Sequence, residues 1–124
     1  MNKRQIFVTR FFQLVSERQF LGAERILKRL KTDLEETEWN RGYLKALEGL
    51  ILVKRTRDEY AFLTKDDFDP KEIVKYRKEL LKEANNRLHT DFDRGYFSAL
   101  AEYLAILKKV KESKKRKSQK EPPP

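Results

Sequence analysis

The sequence predicts an all-α fold, about five helices packed as a small bundle. Three observations carry that reading. Apolar residues recur at helical spacing along most of the chain. Glycine and proline number four each in 124 residues, and three of the prolines are the last three residues. Residues 37–47, TEWNRGYLKAL, return at 90–100 as TDFDRGYFSAL, an offset of 53.

The elements follow in order. Phe7, Val8, Phe11, Phe12 and Val15 form a helical stripe over about 4–16. Ser16-Glu17-Arg18-Gln19 has the Ser-x-x-Gln form of a capping box, so a second helix is expected from about 17 to 31. Phe20, Ala23, Ile26, Leu27 and Leu30 lie on one face of it. One long helix kinked near Gly22 is the alternative. Thr37 can accept from the free N–H groups of a third helix, and Glu38 adds negative charge at its positive end. This helix runs to about 57, with Tyr43, Ala46, Leu47, Leu50 and Ile51 inward. The loop DEYAFLTKDDFDP follows, and Asp69-Pro70 reads as an N-cap with proline at the first helical position. The fourth helix is expected over about 70–88. Thr90 caps the fifth, which carries Tyr96, Phe97, Leu100, Tyr103, Leu104 and Leu107.

The chain therefore reads as one helical domain, 1–107, built from two related helix-turn-helix units at about 20–57 and 70–110. The offset of 53 is too long for the 34-residue period of tetratricopeptide repeats. Residues 108–124 form a basic, low-complexity tail that cannot build a core and is expected to be disordered or ordered by a partner.

Two readings compete for the repeat. In the structural one, Thr37 and Thr90 cap, while Gly42/Ala46 and Gly95/Ala99 form small faces across which the two long helices approach, related by a local pseudo-twofold. A mid-helix glycine costs roughly 1 kcal/mol against alanine, so two of them call for a packing reason. In the functional reading, Arg41/Tyr43 and Arg94/Tyr96 form paired ligand sites. Residues two apart point about 200° apart around a helix, which disfavours a shared small ligand. The structural reading is preferred, with Arg41 pairing with Glu38 or Glu48.

Little points to catalysis. Cysteine is absent, His89 is the only histidine, and no Gly-x-Ser-x-Gly turn or Gly-rich phosphate loop occurs. Asp66, Asp67 and Asp69 are read as acids at a helix N-terminus in preference to a hard-cation site. The expectation is a protein that is no enzyme, with no cofactor, no metal and no small-molecule substrate. No 18-residue apolar run and no signal-peptide cleavage pattern is present, so a cytoplasmic location is the default. The charged fraction of 40% without cysteine resembles hyperthermophile cytosolic proteins.

Charge points to the partner. Of the formal +9, residues 108–124 hold +6, from eight Lys/Arg against two Glu. Lys108, Lys109, Lys111, Lys114, Lys115, Arg116, Lys117 and Lys120 are the candidate phosphate contacts. They predict a nucleic-acid-associated protein, with RNA favoured over DNA and a ribosome or other ribonucleoprotein as the setting.

Gln5-Ile6-Phe7-Val8-Thr9-Arg10-Phe11-Phe12 resembles the PCNA-interacting peptide box. That resemblance implies Gln5 as a polar contact, Val8, Phe11 and Phe12 as an apolar plug, and a sliding clamp as partner in DNA replication or repair. The match covers eight of 124 residues, which also form an amphipathic helix. A third reading is a protein–protein adaptor that uses a groove between helical hairpins.

Overall fold

A computed structural model describes residues 2–56 and 69–120, the side chains of 114–120 excepted. All regular structure among the described residues is helical. The order is α1 (Lys3–Ser16), α2 (Phe20–Asp33), α3 (Glu38–Thr56), α4 (Pro70–Ala84) and α5 (Asp91–Lys120). The expectation of an all-α bundle of five helices is met.

Four of the five helix starts have a side-chain cap; α2, preceded by Gln19, has none. Asn2 caps α1 through a capping box: its Oδ1 accepts from Gln5 N at 2.9 Å, and its own N–H donates to Gln5 Oε1 at 3.1 Å. Thr37 Oγ1 accepts from Asn40 N at 3.1 Å, and Thr90 Oγ1 accepts from Asp93 N at 3.2 Å, as expected of the two repeated caps. Asp69 accepts from Lys71 N at 3.2 Å, with Pro70 as the first residue of α4.

Three boundaries differ from the sequence reading. Ser16 caps nothing; it is the last residue of α1, and its hydroxyl donates back to Gln13 O. The break between α1 and α2 is a Schellman turn. Gln19 N donates to Leu14 O and Arg18 N to Val15 O, with Arg18 in the left-handed region at φ 60°. Glycine is the usual residue there, but the Arg18 side chain has contacts of its own. Its guanidinium donates to Lys54 O at 3.1 Å and lies over the Phe20 ring. Helix α4 stops at Ala84, four residues earlier than expected. Asn85 Nδ2 donates to Leu81 O and Asn86 Oδ1 accepts from Leu88 N, so the asparagines divert the backbone into a turn. Helix α5 runs past the expected boundary at 107 without a break, to Lys120.

The two long helices organise the bundle. Helix α5 packs most extensively on α3 and α4 and also touches α1, while α2 pairs with α1 and α3. Phe11, Phe12, Val15, Ala23, Leu47, Ile73, Ala99, Tyr103 and Leu104 are fully buried in one core. Burial of this apolar surface is the main stabilising contribution.

The α3–α5 seam is reciprocal. A Cβ built on Gly42 would meet the Phe92 carbonyl oxygen at 1.8 Å, and one on Gly95 would meet the Trp39 carbonyl oxygen at 2.0 Å. Only a glycine hydrogen fits at either place, in the arrangement of a Cα–H···O contact. Gly42 and Gly95 are counterparts at the offset of 53, as are Trp39 and Phe92. The two close approaches are therefore reciprocal between matched positions.

Candidate nucleic-acid interface

Where α5 leaves α3, it lines a cleft of about 370 Å³ together with the start of α1. Trp39 stacks on Tyr43 with ring centroids 5.3 Å apart and an interplanar angle of 19°. The Arg4 guanidinium carbon lies 5.6 Å from the Trp39 centroid and 5.2 Å from that of Tyr43, so one cation covers both rings. Arg77 from α4 and Lys109 from α5 complete the rim, and both are exposed. Among the described residues, neither has a carboxylate within ion-pair distance.

The acid in the cleft is already engaged. Tyr43 is 1% exposed, and its hydroxyl donates to the Glu102 carboxylate. Burial, then the neighbouring Glu102 charge and the hydrogen bond to it, push the Tyr43 pKa well above its usual value. Glu102 is exposed over the residue as a whole, yet its carboxyl end is part-buried against Tyr43. Desolvation of that end raises its pKa, opposed by the Tyr43 hydrogen bond and by Arg4. Three cations therefore face one carboxylate, an arrangement suited to an anionic group that also offers a flat face.

Of the three cations in this cleft, sequence reasoning named only Lys109; Gln5, Val8, Phe12 and Tyr43 also line it but were named for other roles. Arg4 and Arg77 come from different helices, 73 positions apart, and no spacing signals their convergence. The repeat does not carry the Trp39–Tyr43 stack across: at the counterparts Phe92 and Tyr96, Tyr96 meets Phe97 edge-on at 6.2 Å.

The other expected site residues fall as follows. Lys108 is half-buried and pairs with Glu112 at 3.7 Å, and Lys111 is also half-buried. Positions 114, 115, 116, 117 and 120 continue the α5 backbone, while the side chains of Lys114, Lys115, Arg116, Lys117 and Lys120 lie outside the described residues. Of the clamp-box residues, Phe11 and Phe12 are fully buried and Val8 is 7% exposed. Gln5 is exposed and occupied by the α1 capping box. Docking on a clamp would require α1 to leave the core.

Arg41 and Arg94 take different roles. Arg41 pairs with Glu38 at 2.9 Å, whereas Arg94 Nε donates to Ala84 O and ties the end of α4 to α5. His89 sits half-buried between Glu83 and Phe97. Asp69 is an N-cap, while Asp66 and Asp67 lie outside the described residues. Among the described residues, no helix is long and apolar enough to cross a membrane. Comparisons of the chain with protein-family models, curated proteins and solved structures found no match.

Proposed function

We propose that this chain is a non-enzymatic nucleic-acid-binding protein that contacts phosphates along the basic end of α5, within a ribosomal or other ribonucleoprotein assembly. The observation that carries this reading is the continuity of α5. The basic positions from Lys108 to Lys120 sit on one unbroken helix that begins inside the core. At 1.5 Å per residue, that stretch extends about 18 Å. A helix held at one end by packing loses less conformational freedom on binding than a free tail would. Duplex nucleic acid carries one charge per roughly 1.7 Å of axis, so several phosphates fall within reach. Lys109 links this stripe to Arg4 and Arg77 in the cleft.

The test keeps the whole chain. Binding to labelled RNA and to labelled DNA is measured over a salt series for the wild type and for a triple variant, Lys115→Gln, Arg116→Gln and Lys117→Gln. The wild type is expected to bind with log K falling steeply against log salt. The variant's slope should be shallower by about 0.7–0.9 for each phosphate that it no longer neutralises. Absence of wild-type binding to both nucleic acids at physiological salt overturns the reading. The ratio of RNA to DNA affinity decides the setting.

A further inference from the structure

We infer that the cleft between α1, α3 and α5 is a nucleotide site that receives one unpaired nucleotide of a single strand laid along α5. This rests on the nucleic-acid reading above and adds a preference for single strands over duplexes.

Size is the first argument. A cleft of about 370 Å³ falls near the lower end of small-molecule sites, the range of a single nucleotide and too small for a base pair with its backbones. Chemistry is the second. A nucleotide needs a flat surface for its base and cations for its phosphate. The Arg4 guanidinium lines the cleft and lies over the Trp39 and Tyr43 rings, which stack on each other. Unpaired bases are commonly held on aromatic rings and on guanidinium planes of this kind. Arg77 and Lys109 stand on the rim from two different helices, and no described carboxylate neutralises either. Glu102 adds little repulsion, because the Tyr43 hydroxyl donates to it and Arg4 lies nearby. Connection is the third argument. Lys109 belongs both to the cleft and to the basic stripe, so a strand following α5 arrives at the cleft. Bases in a duplex are stacked and paired, and cannot enter without being flipped out.

The chain has a built-in reporter. Trp39 is its only tryptophan and lines the cleft, so its emission reports on cleft occupancy. The full chain is titrated with a labelled short single-stranded RNA, with the duplex of the same sequence, and separately with inorganic phosphate and polyglutamate. Label anisotropy and Trp39 emission are followed together. The single strand should quench Trp39 with the midpoint seen by anisotropy. The duplex should bind about tenfold or more weakly and leave Trp39 emission unchanged. Arg77→Ala and Lys109→Ala change exposed side chains and should keep wild-type helicity. Each should lower single-strand affinity several-fold and displace the quenching curve by the same factor.

Binding of strand and duplex alike with a silent Trp39 overturns the nucleotide site and leaves the α5 reading standing. Equal quenching by inorganic phosphate or polyglutamate also overturns it, because the cleft would then be reading charge without a base. Absence of any anisotropy change overturns both readings together.

Discussion

The backbone carbonyl of Phe92 occupies the space that a side chain on Gly42 would need. A Cβ there would stand 1.8 Å from the oxygen, and the same relation holds between Gly95 and Trp39 at 2.0 Å. The exchange extends along the seam. Tyr43 reaches across to Glu102, while Tyr96 Oη comes within 3.8 Å of a Cβ built on Gly49, the position equivalent to Glu102. The two helices therefore meet through matched residues, but only one of the two tyrosines finds a carboxylate there. The cleft is built on that side.

Glycine-to-alanine substitutions should separate close approach from helix propensity. Gly42→Ala and Gly95→Ala gain about 1 kcal/mol of propensity but force backbone to move, so a net loss of about 2 kcal/mol or more is expected. Gly49→Ala meets only ordinary contact and should stabilise by about 0.5–1 kcal/mol. Urea unfolding of the three variants checks this. A stabilised Gly42→Ala would contradict the seam.

Much of this seam was legible in the sequence, because the repeat wrote its glycines, alanines and caps twice. Thr37, Thr90, Asp69 and Pro70 were readable for a related reason: a cap is a local matter between one side chain and the next turn. The α1–α2 break was misread because Ser16 offered the right letters for a cap, while a left-handed Arg18 carries no composition signal. Helix α4 ends before the expected residue 88 because the Asn85-Asn86 turn diverts the backbone, while apolar spacing fades only slowly beyond it. The cleft was largely invisible. It depends on Arg4, Arg77 and Lys109 converging from three helices, which only tertiary packing arranges.

The repeated caps should cost alike when removed. Thr37→Ala and Thr90→Ala each lose one hydrogen bond to a free N–H and should destabilise by about 1 kcal/mol. Serine at either position keeps the acceptor and should recover most of the loss. Thermal unfolding compares the four variants. Equal melting of the alanine and serine forms would mean that the hydroxyls do not cap.

Phe12→Ala should be severe. Its ring is fully buried and lies 5.7 Å from that of Tyr103 on α5, so truncation opens a cavity between α1 and the central helix. The expected cost is about 3–5 kcal/mol, against a total of about 5–15 kcal/mol for a domain. Gln5→Ala should remove only one arm of the capping box and leave the core intact. A Phe12→Ala chain as stable as the wild type in urea would show that α1 is not held in the core, and would bring the clamp box back into view.

The pH dependence of stability should expose the state of Glu102. Its carboxyl has a pKa raised above the ordinary 4.5, chiefly by desolvation. Below that ordinary value the group is protonated in folded and unfolded chains alike, and its favourable contribution is fully present. As pH rises past it, the unfolded chain ionises first, the folded chain holds the extra proton, and the contribution is lost through the folded pKa. Glu48 has the opposite sign, since its hydrogen bond from Lys31 lowers its pKa, so wild-type stability alone does not isolate either group. Glu102→Gln keeps an oxygen to accept from Tyr43 and removes the titration. The stability of the wild type relative to this variant should therefore fall as pH rises above about 4.5, then level off once Glu102 is ionised in both states. Added salt should sharpen the fall, because it screens the help that Arg4 gives the ionised carboxylate. Chemical unfolding at a series of pH values measures the gap. A flat gap would place the carboxylate in water, away from Tyr43, and a gap that widens with pH would mean that the Tyr43 hydrogen bond and Arg4 outweigh desolvation.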